Sequence, residues 1–237
     1  MNNKSPKAIG AVVPAAGIGK RMGAEIPKQY LTIHQKTIIE WTLDKLLRVP
    51  LITHIVVVLH PDDIHFKQLP FASHPKILTC VGGDERADSV LAGLKHLPDE
   101  SEWALVHDAA RPLVDPNDIQ SLIQSCLQHN MGGILATRVR DTMKRSHQHQ
   151  SLIAETVPRE SLWHALTPQM FQRSRLIAAY EQAITKDAIM TDEASVIERL
   201  EQPVQLIEGR ADNIKVTQPE DILFTEFKLA QSLQEVK

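Results

Sequence analysis

The sequence predicts an α/β fold, a Rossmann-like domain in which a largely parallel central sheet is flanked by helices. Short apolar runs rich in β-branched residues, such as 54–59, are typical of strands that are buried on both faces. These runs alternate along the chain with segments of helical period, such as 37–49. The 237 residues can bury a core of useful size, so we expect a single domain over 1–237.

The alternation places each element in turn. Strands are predicted at 8–14, 54–59, 76–81, 102–107, 133–137, 204–207 and 213–216. Helices are predicted at 37–49, 86–97, 116–129, 173–185, 192–200 and 219–233, with a helical turn opening at Pro61. The polar stretch from Arg138 to Thr167 breaks the pattern. Because a loop of that length within a domain is usually functional, we expect a protruding hairpin arm over 138–167.

Composition excludes several classes of function. A net charge of −3 argues against a general nucleic-acid or acidic-membrane surface, so affinity for phosphate must come from local clusters. The apolar run at 8–19 is broken by Pro14 and glycines and is too short to span a bilayer, so neither a signal peptide nor an anchor is expected. Cys80 and Cys126 are expected to be buried free thiols, which is typical of a cytoplasmic protein.

A loop of small residues after the first predicted strand carries the clearest functional signal. Residues 15–23 read Ala-Ala-Gly-Ile-Gly-Lys-Arg-Met-Gly, and Pro-Lys-Gln-Tyr follows at 27–30. Such a loop lets backbone N–H groups approach an anion, and Arg21 and Lys28 add positive charge. The loop lacks the hydroxyl residue of a P-loop, and its glycine spacing exceeds the dinucleotide fingerprint by one residue. We therefore expect a triphosphate site, with an ordinary strand-to-helix turn as the alternative.

A second glycine-rich junction between a strand and a helix lies at 82–90. Its backbone groups and the Ser89 hydroxyl could hold a base or a ribose. The alternative is a helix that is simply capped by Asp84. The two interpretations are compatible with each other.

Two acidic residues are candidates for binding magnesium. Asp108 directly follows a predicted buried strand, at the edge of a parallel sheet where ligands bind, and one or two carboxylates with phosphate oxygens suit Mg²⁺. Asp212 could be a second ligand, and Lys215 could position an anionic substrate. The alternative for Asp108 is an aspartate that begins a turn. The alternative for Asp212 and Lys215 is that they are exposed charges on an edge strand. His107 is interpreted as structural, since magnesium does not favour imidazole.

Taken in order, these motifs resemble the 2-C-methyl-D-erythritol 4-phosphate cytidylyltransferase family of the non-mevalonate isoprenoid pathway. The blocks that carry the resemblance are 15–30, 82–95, 105–112, 140–145, 162–169, 191–194 and 208–217. Many sugar-nucleotide pyrophosphorylases share the first loop, whereas 140–144 and 211–216 are more selective. The resemblance implies that CTP and the methylerythritol phosphate give 4-CDP-2-C-methyl-D-erythritol and diphosphate.

The resemblance also implies roles for the matching residues. Arg21 and Lys28 would stabilise the transferring and leaving phosphates, while Arg159 and Lys215 would position the attacking phosphate. Asp108 and Asp212 would be the Mg²⁺ ligands. The residues implied to line the CTP pocket are Ala15, Ala16, Gly17, Gly83, Asp84 and Ser89, and those implied to line the acceptor site are Arg111, Thr142 and Thr167.

The resemblance further implies a homodimer whose arms cross, so that Thr142 and Arg159 reach into the partner's site. Two alternatives stay open. One is a cytidylyltransferase for another polyol phosphate, such as ribitol 5-phosphate. The other is a nucleotide-binding module that has the fold without the chemistry. The residues alone do not identify the acceptor alcohol.

Overall fold

A seven-stranded sheet lies at the centre of the computed structural model, which describes residues 8–17 and 26–234. The strands are β1 (Ala8–Pro14), β2 (Thr32–Ile33), β3 (Lys36–Thr37), β4 (Ile52–Leu59), β5 (Ile77–Val81), β6 (Ser101–Val106), β7 (Gly133–Arg138), β8 (Met143–Ser146), β9 (Ile153–Val157), β10 (Trp163–Gln172) and β11 (Gln205–Glu208). The helices are α1 (Ile38–Leu47), α2 (Arg86–His96), α3 (Pro116–His129), α4 (Arg173–Thr185), α5 (Glu193–Glu198) and α6 (Pro219–Gln234). The predicted fold class is confirmed.

The strands of the central sheet lie in the order β11-β7-β10-β6-β1-β4-β5. Neighbours are parallel except at β10, which runs antiparallel to both β6 and β7. The four residues 55–58 of β4 are fully buried, as expected for a strand that is covered on both faces. All strands of this sheet except β10 therefore end on the same edge, where the loops that follow β1, β5 and β6 are brought together.

Two hydrophobic clusters cover the two faces of this sheet. Side chains alternate along β1, so that Ala11 and Val13 pack with residues of α1 and α3, whereas Val12 packs on the opposite face with residues of α2, α4 and α5. The sheet is thus held rigidly between helices, and the loops at its carboxyl edge start from fixed positions.

Helix α3 has the predicted bounds because its ends are specified locally. The Asp115 carboxylate accepts a hydrogen bond from Asn117 N at 2.8 Å, and Pro116 occupies the first turn. Asn130 ends the helix in the left-handed conformation with φ of 49°.

The segment expected to be one long arm has two parts in the structure. Strands β8 and β9 form a separate antiparallel hairpin over 143–157. Strand β10 begins at Trp163 and belongs to the central sheet. The hairpin over 143–157 is therefore shorter than the predicted arm at 138–167.

Two local predictions are wrong. Residues 213–216 form a loop, not a strand. The N-cap residue of helix α2 is Glu85, not Asp84. A single turn does open at Pro61, where Asp63 N donates to His60 O at 3.0 Å, and short 3₁₀ helices follow at Phe66–Gln68 and Pro70–Ser73.

The cysteines are free thiols as expected, although only Cys126 is fully buried and Cys80 is partly exposed. Burial raises the pKa of Cys126 to about 12. None of the helices in the described part of the chain has the length and apolar character that crossing a membrane requires.

Candidate active site

A pocket of about 520 Å³ opens at the carboxyl edge of β1, β5 and β6. It is lined by Pro14, Ala15, Ala16, Gly17, Lys28, Gln29, Gly83, Asp84, Glu85, Arg86, Ser89, Asp108, Ala109, Ala110, Lys215 and Thr217. All six residues predicted to line a CTP pocket belong to this set. So do Lys28, Asp108 and Lys215, which come from three distant parts of the chain. Arg21 lies outside the described residues.

The loop that follows β1 is fixed by a buried amide. Ala15 N donates a hydrogen bond to Val58 O at 2.8 Å, which ties the start of the loop to β4. Gln29 is buried, and its Nε2 donates to Ala15 O at 2.7 Å and to Gly17 O at 3.2 Å. Gln29 therefore clamps the loop to the segment that carries Lys28. Its role was missed, although it stands within the motif at 27–30.

Lys28 lies in a short 3₁₀ helix, Lys28–Tyr30, at the side of the pocket. Its Nζ donates to Val216 O at 2.9 Å. Val216 N in turn donates to Ala110 O at 2.8 Å. The loop at 213–217 is thereby held against the loops that follow β1 and β6, which places Lys215 beside the pocket.

The wall formed by the junction at 82–90 depends on a close approach of backbone to side chain. A Cβ at Gly82 would lie 2.5 Å from Ser89 Oγ and 2.9 Å from Ala16 Cβ, so only glycine fits without displacing the wall. Ser89 is buried, and its hydroxyl donates to Gly83 O at 3.4 Å. The predicted residues of this junction and of the β1 loop therefore face the same cavity.

Asp108 is surrounded by positive charge. Its Oδ2 lies 3.0 Å from Lys215 Nζ and 3.3 Å from Arg111 Nε, and its Oδ1 lies 3.3 Å from Arg86 Nη2. Burial alone would raise the pKa of Asp108, but the cations Lys215, Arg86 and Arg111 outweigh it and hold the pKa well below the usual range. The carboxylate is therefore ionised at neutral pH.

His107 supports the peptide that carries this carboxylate. The Thr167 hydroxyl accepts a hydrogen bond from Asp108 N at 3.1 Å and donates to His107 Nδ1 at 3.0 Å, while His107 Nε2 donates to Arg111 O at 3.2 Å. Burial lowers the pKa of the fully buried His107 to about 4, so the ring is neutral. The structural role predicted for His107 agrees with these contacts.

Thr167 and Arg111 lie behind the pocket wall in this structure. Thr167 is 4% exposed, and its carbonyl accepts from Asn213 Nδ2 at 2.8 Å. Arg111 Nη1 donates to Asn213 O at 2.8 Å. Both side chains therefore brace Asp108 and the loop that carries Lys215. Direct contact with an acceptor stays a prediction for each.

Asp212 belongs to a different cluster of charges. Its oxygens accept from Arg210 Nε at 3.0 Å and Nη2 at 2.8 Å, and Oδ2 lies 2.8 Å from Lys228 Nζ in α6. The hydrogen bond from Arg210 is the main reason why the pKa of Asp212 falls to about 2. Asp212 is not among the described residues that line the pocket. The structure thus does not bring the two predicted metal ligands into one cluster.

The hairpin of β8 and β9 carries the two remaining predicted residues. Thr142 precedes β8 and Arg159 follows β9, and both are exposed. The Arg159 guanidinium donates to Arg140 O across the base of the hairpin. Within the described part of one chain, neither residue lines the pocket.

Arg86 is the pocket cation that sequence reasoning missed. It is the first residue of α2, and its Nη1 lies 2.8 Å from Glu193 Oε1. A signal was available, because a positive charge at a helix N-terminus opposes the helix dipole and so calls for a local reason.

The chain is similar to one family of known proteins along nearly its whole length. The model of the 2-C-methyl-D-erythritol 4-phosphate cytidylyltransferase family matches residues 9–231. A relative of that name from Shewanella sediminis is 55% identical over 223 residues, 94% of each chain. Another, from Escherichia fergusonii, is 51% identical over 225 residues, 95% of each chain.

Solved structures agree with the sequence relatives. The 4-diphosphocytidyl-2C-methyl-D-erythritol synthase from Anaerococcus prevotii matches with a TM-score of 0.83 and 29% identity, over 95% of this chain and 100% of that one. The resemblance noted in the sequence and the predicted enzyme class, a cytidylyltransferase, are confirmed. The chain belongs to the 2-C-methyl-D-erythritol 4-phosphate cytidylyltransferase family.

Proposed function

We propose that this pocket binds CTP and transfers its cytidylyl group to 2-C-methyl-D-erythritol 4-phosphate. An oxygen of the acceptor phosphate attacks the α-phosphorus in line, the bond from that phosphorus to the bridging oxygen breaks, and diphosphate leaves. The observation that carries the proposal is the ionised Asp108 with its cations, placed at the strand edge opposite the small-residue loop at 14–17. The product, 4-CDP-2-C-methyl-D-erythritol, serves isoprenoid precursor synthesis in the family.

The chemistry asks the protein mainly for charge and position. Two anions must approach each other, and negative charge builds on the leaving diphosphate. Lys28 and Lys215 line the pocket on the side of the 213–217 loop, and both are held by hydrogen bonds or ion pairs before substrate arrives. Arg21 completes the cationic set by the family's pattern. Such preorganised cations stabilise the transition state without reorganisation.

Asp108 fits a magnesium site together with the triphosphate. Mg²⁺ is commonly held by one or two carboxylates with substrate phosphate oxygens, and Asp108 supplies one ionised carboxylate in the pocket. Within residues 8–17 and 26–234, no group of three or more His, Cys, Asp or Glu side chains forms a ready metal cluster. We therefore propose Asp108 as the protein ligand and phosphate oxygens as the rest, since Asp212 is paired with Arg210 and Lys228 and is not among the described residues that line the pocket. When bound, the metal would neutralise charge on the phosphates.

We also propose a homodimer in the cytoplasm in which each hairpin completes the partner's site through Thr142 and Arg159. Both residues are exposed in one chain and neither is among the described residues that line its pocket, which supports this. The test is a heterodimer of one Lys28→Ala protomer and one Arg159→Ala protomer, which is isolated by giving each protomer a different purification tag. Crossed arms leave one intact and one doubly damaged site, so about half of the parent's activity should return. No recovery above the two homodimers would contradict the exchange.

The reaction itself is tested with a substrate panel. Diphosphate release is measured with CTP, UTP or GTP, with methylerythritol phosphate or ribitol 5-phosphate, and with or without Mg²⁺. We expect release with CTP and methylerythritol phosphate when Mg²⁺ is present. Preference for ribitol 5-phosphate would make the chain a cytidylyltransferase for another alcohol. Binding of CTP without any release would make it a binding module.

A further inference from the structure

Arg86 connects the pocket to a buried carboxylate that none of the roles above uses. Its Nη1 lies 2.8 Å from Glu193 Oε1, and its Nη2 lies 3.4 Å from Glu193 Oε2 and 3.3 Å from Asp108 Oδ1. The guanidinium therefore spans two carboxylates, one in the pocket and one at the start of α5. The 107 residues that separate Arg86 from Glu193 make this a tertiary contact between α2 and α5.

Glu193 has no exposure to solvent, which makes its charge costly unless it is paired. The Tyr180 hydroxyl donates to Glu193 Oε1 at 3.0 Å, and Arg86 supplies the opposite charge. Burial would lower the pKa of Arg86, but Glu193 and Asp108 raise it above its ordinary value. A buried ion pair is weak evidence for stability, since apolar residues often serve as well. Fixing the orientation of Arg86 is therefore the better reason for this pair.

The end of α5 that carries Glu193 is itself firmly anchored. Asp192 Oδ1 accepts from Ser195 N at 2.9 Å and caps the helix. Gln169 in β10 is buried; its Oε1 accepts from Ala194 N at 2.8 Å, and its Nε2 donates to Asp192 Oδ2 at 2.9 Å. The backbone on both sides of Glu193 is thus tied to the central sheet, and Glu193 can hold Arg86 at a set position.

Arg86 keeps a face toward the pocket in spite of these bonds. Its side chain is 34% exposed and lines the cavity beside Gly83 and Ser89. A guanidinium has five N–H donors in a rigid fork that matches phosphate oxygens. Among residues 8–17 and 26–234, Arg86 donates three hydrogen bonds to carboxylates. We propose that Arg86 is a further binding cation for the triphosphate of CTP and that Glu193, with Tyr180, is its positioning residue; this rests on the function proposed above.

The test combines steady-state kinetics with a double-mutant cycle. Arg86→Lys keeps the charge but loses the fork, and we expect kcat/KM for CTP to fall by about tenfold or more while KM for the acceptor stays within about threefold. Glu193→Gln should lower kcat/KM for CTP similarly. Since Glu193 acts through Arg86, the double variant with Arg86→Lys and Glu193→Gln should have a kcat/KM for CTP within about threefold of that of Arg86→Lys alone. CTP affinity measured by calorimetry should follow the same order.

The matched control is Glu181→Gln, the same change of side chain at an exposed carboxylate that pairs with Lys95 Nζ of helix α2 at 2.8 Å and does not line the pocket. Its kcat/KM for CTP should stay within about twofold of the parent. Should Glu193→Gln fail to fold, Tyr180→Phe removes only the hydrogen bond to Glu193 and is expected to lower kcat/KM for CTP by about threefold or more.

Specific outcomes would overturn the inference. Parental kcat/KM for CTP in Arg86→Lys removes the binding role. A parental kcat/KM for CTP in Glu193→Gln, or in Tyr180→Phe where that variant replaces it, removes the positioning role. The same conclusion follows if the fold-losses in kcat/KM of the two single variants multiply in the double variant. A parent that releases no diphosphate from CTP overturns the proposed function and this inference together. An active parent with an unaffected Arg86→Lys overturns the inference alone.

Discussion

The neutral state of buried His107 predicts a specific pH dependence of stability. The ordinary pKa of histidine is about 6.5, and burial lowers that of His107 to about 4 in the folded protein. Between these pH values the unfolded chain binds a proton on this histidine and the folded protein does not. The folded state therefore becomes less stable as pH falls from about 6.5 toward 4, and it has its full stability above about pH 6.5. At about 1.36 kcal/mol for each pKa unit, the complete effect is about 3 kcal/mol, of which about 2 kcal/mol is lost between pH 7 and pH 5.

The assay is urea unfolding at pH 7 and pH 5 for the parent and for His107→Gln. The substitution itself lowers the free energy of unfolding at both pH values, so we compare how much that free energy falls between pH 7 and pH 5. It should fall by about 2 kcal/mol more in the parent than in His107→Gln. The control His147→Gln changes an exposed histidine of the hairpin and should keep the parent's loss. Equal losses in parent and His107→Gln, within about 0.5 kcal/mol, would refute a buried neutral ring.

Three further predictions concern the pocket. Lys28→Ala should lower kcat by roughly 10²–10³, about 2.7–4 kcal/mol, because a preorganised donor is lost; a kcat within about threefold of the parent would contradict the role. Removal of Mg²⁺ with a chelator should abolish diphosphate release, and Asp108→Asn should raise the Mg²⁺ concentration for half-maximal rate by roughly tenfold or more; an unchanged Mg²⁺ titration would exclude Asp108 as a ligand. Gly82→Ala should raise KM for CTP several-fold, about 1 kcal/mol or more, because its Cβ would displace Ser89 or Ala16; parental KM would show that the wall is not rigid.

The sequence predicted most of the fold because its strands and helices are locally specified. The run at 55–58 is buried on both faces, so its β-branched composition has one plausible interpretation. Helix α3 carries its own start and stop signals in Asp115, Pro116 and Asn130. Elements whose secondary structure depends on contacts with distant residues were harder to predict. Strand β10 contains Pro168, which argues against a central strand, and the exposed first residues of β10 look like part of the polar arm.

Residues 213–216 show the opposite error. The alternation Asn-Ile-Lys-Val is typical of a strand, but the backbone there bonds to Ala110 and to the Arg111 side chain in place of a neighbouring strand. The buried residues are Asn213 and Val216, which are three positions apart, so the alternation in the sequence does not describe how the segment packs.

The candidate site could be predicted where the sheet topology dictates it. Loops that follow parallel strands meet at one edge, so Ala15 and Asp108 could be placed together from strand assignments alone. The pairing of Arg86 with Glu193 could not be predicted, since neither the periodicity of the sequence nor the spacing of its residues relates α2 to α5. Thr167 and Arg111 were assigned to the acceptor through family resemblance, whereas the structure has them bracing Asp108.

A crystal structure of the protein with CTP and Mg²⁺ would show directly where the nucleotide binds. We expect nucleotide density in the pocket at the carboxyl edge of β1, β5 and β6. The triphosphate should lie within hydrogen-bond distance, about 3.2 Å, of the backbone at 15–17 and of Lys28. Nucleotide density in another cavity, such as that of about 440 Å³ beside Trp103 and Arg173, with this pocket empty, would contradict this expectation.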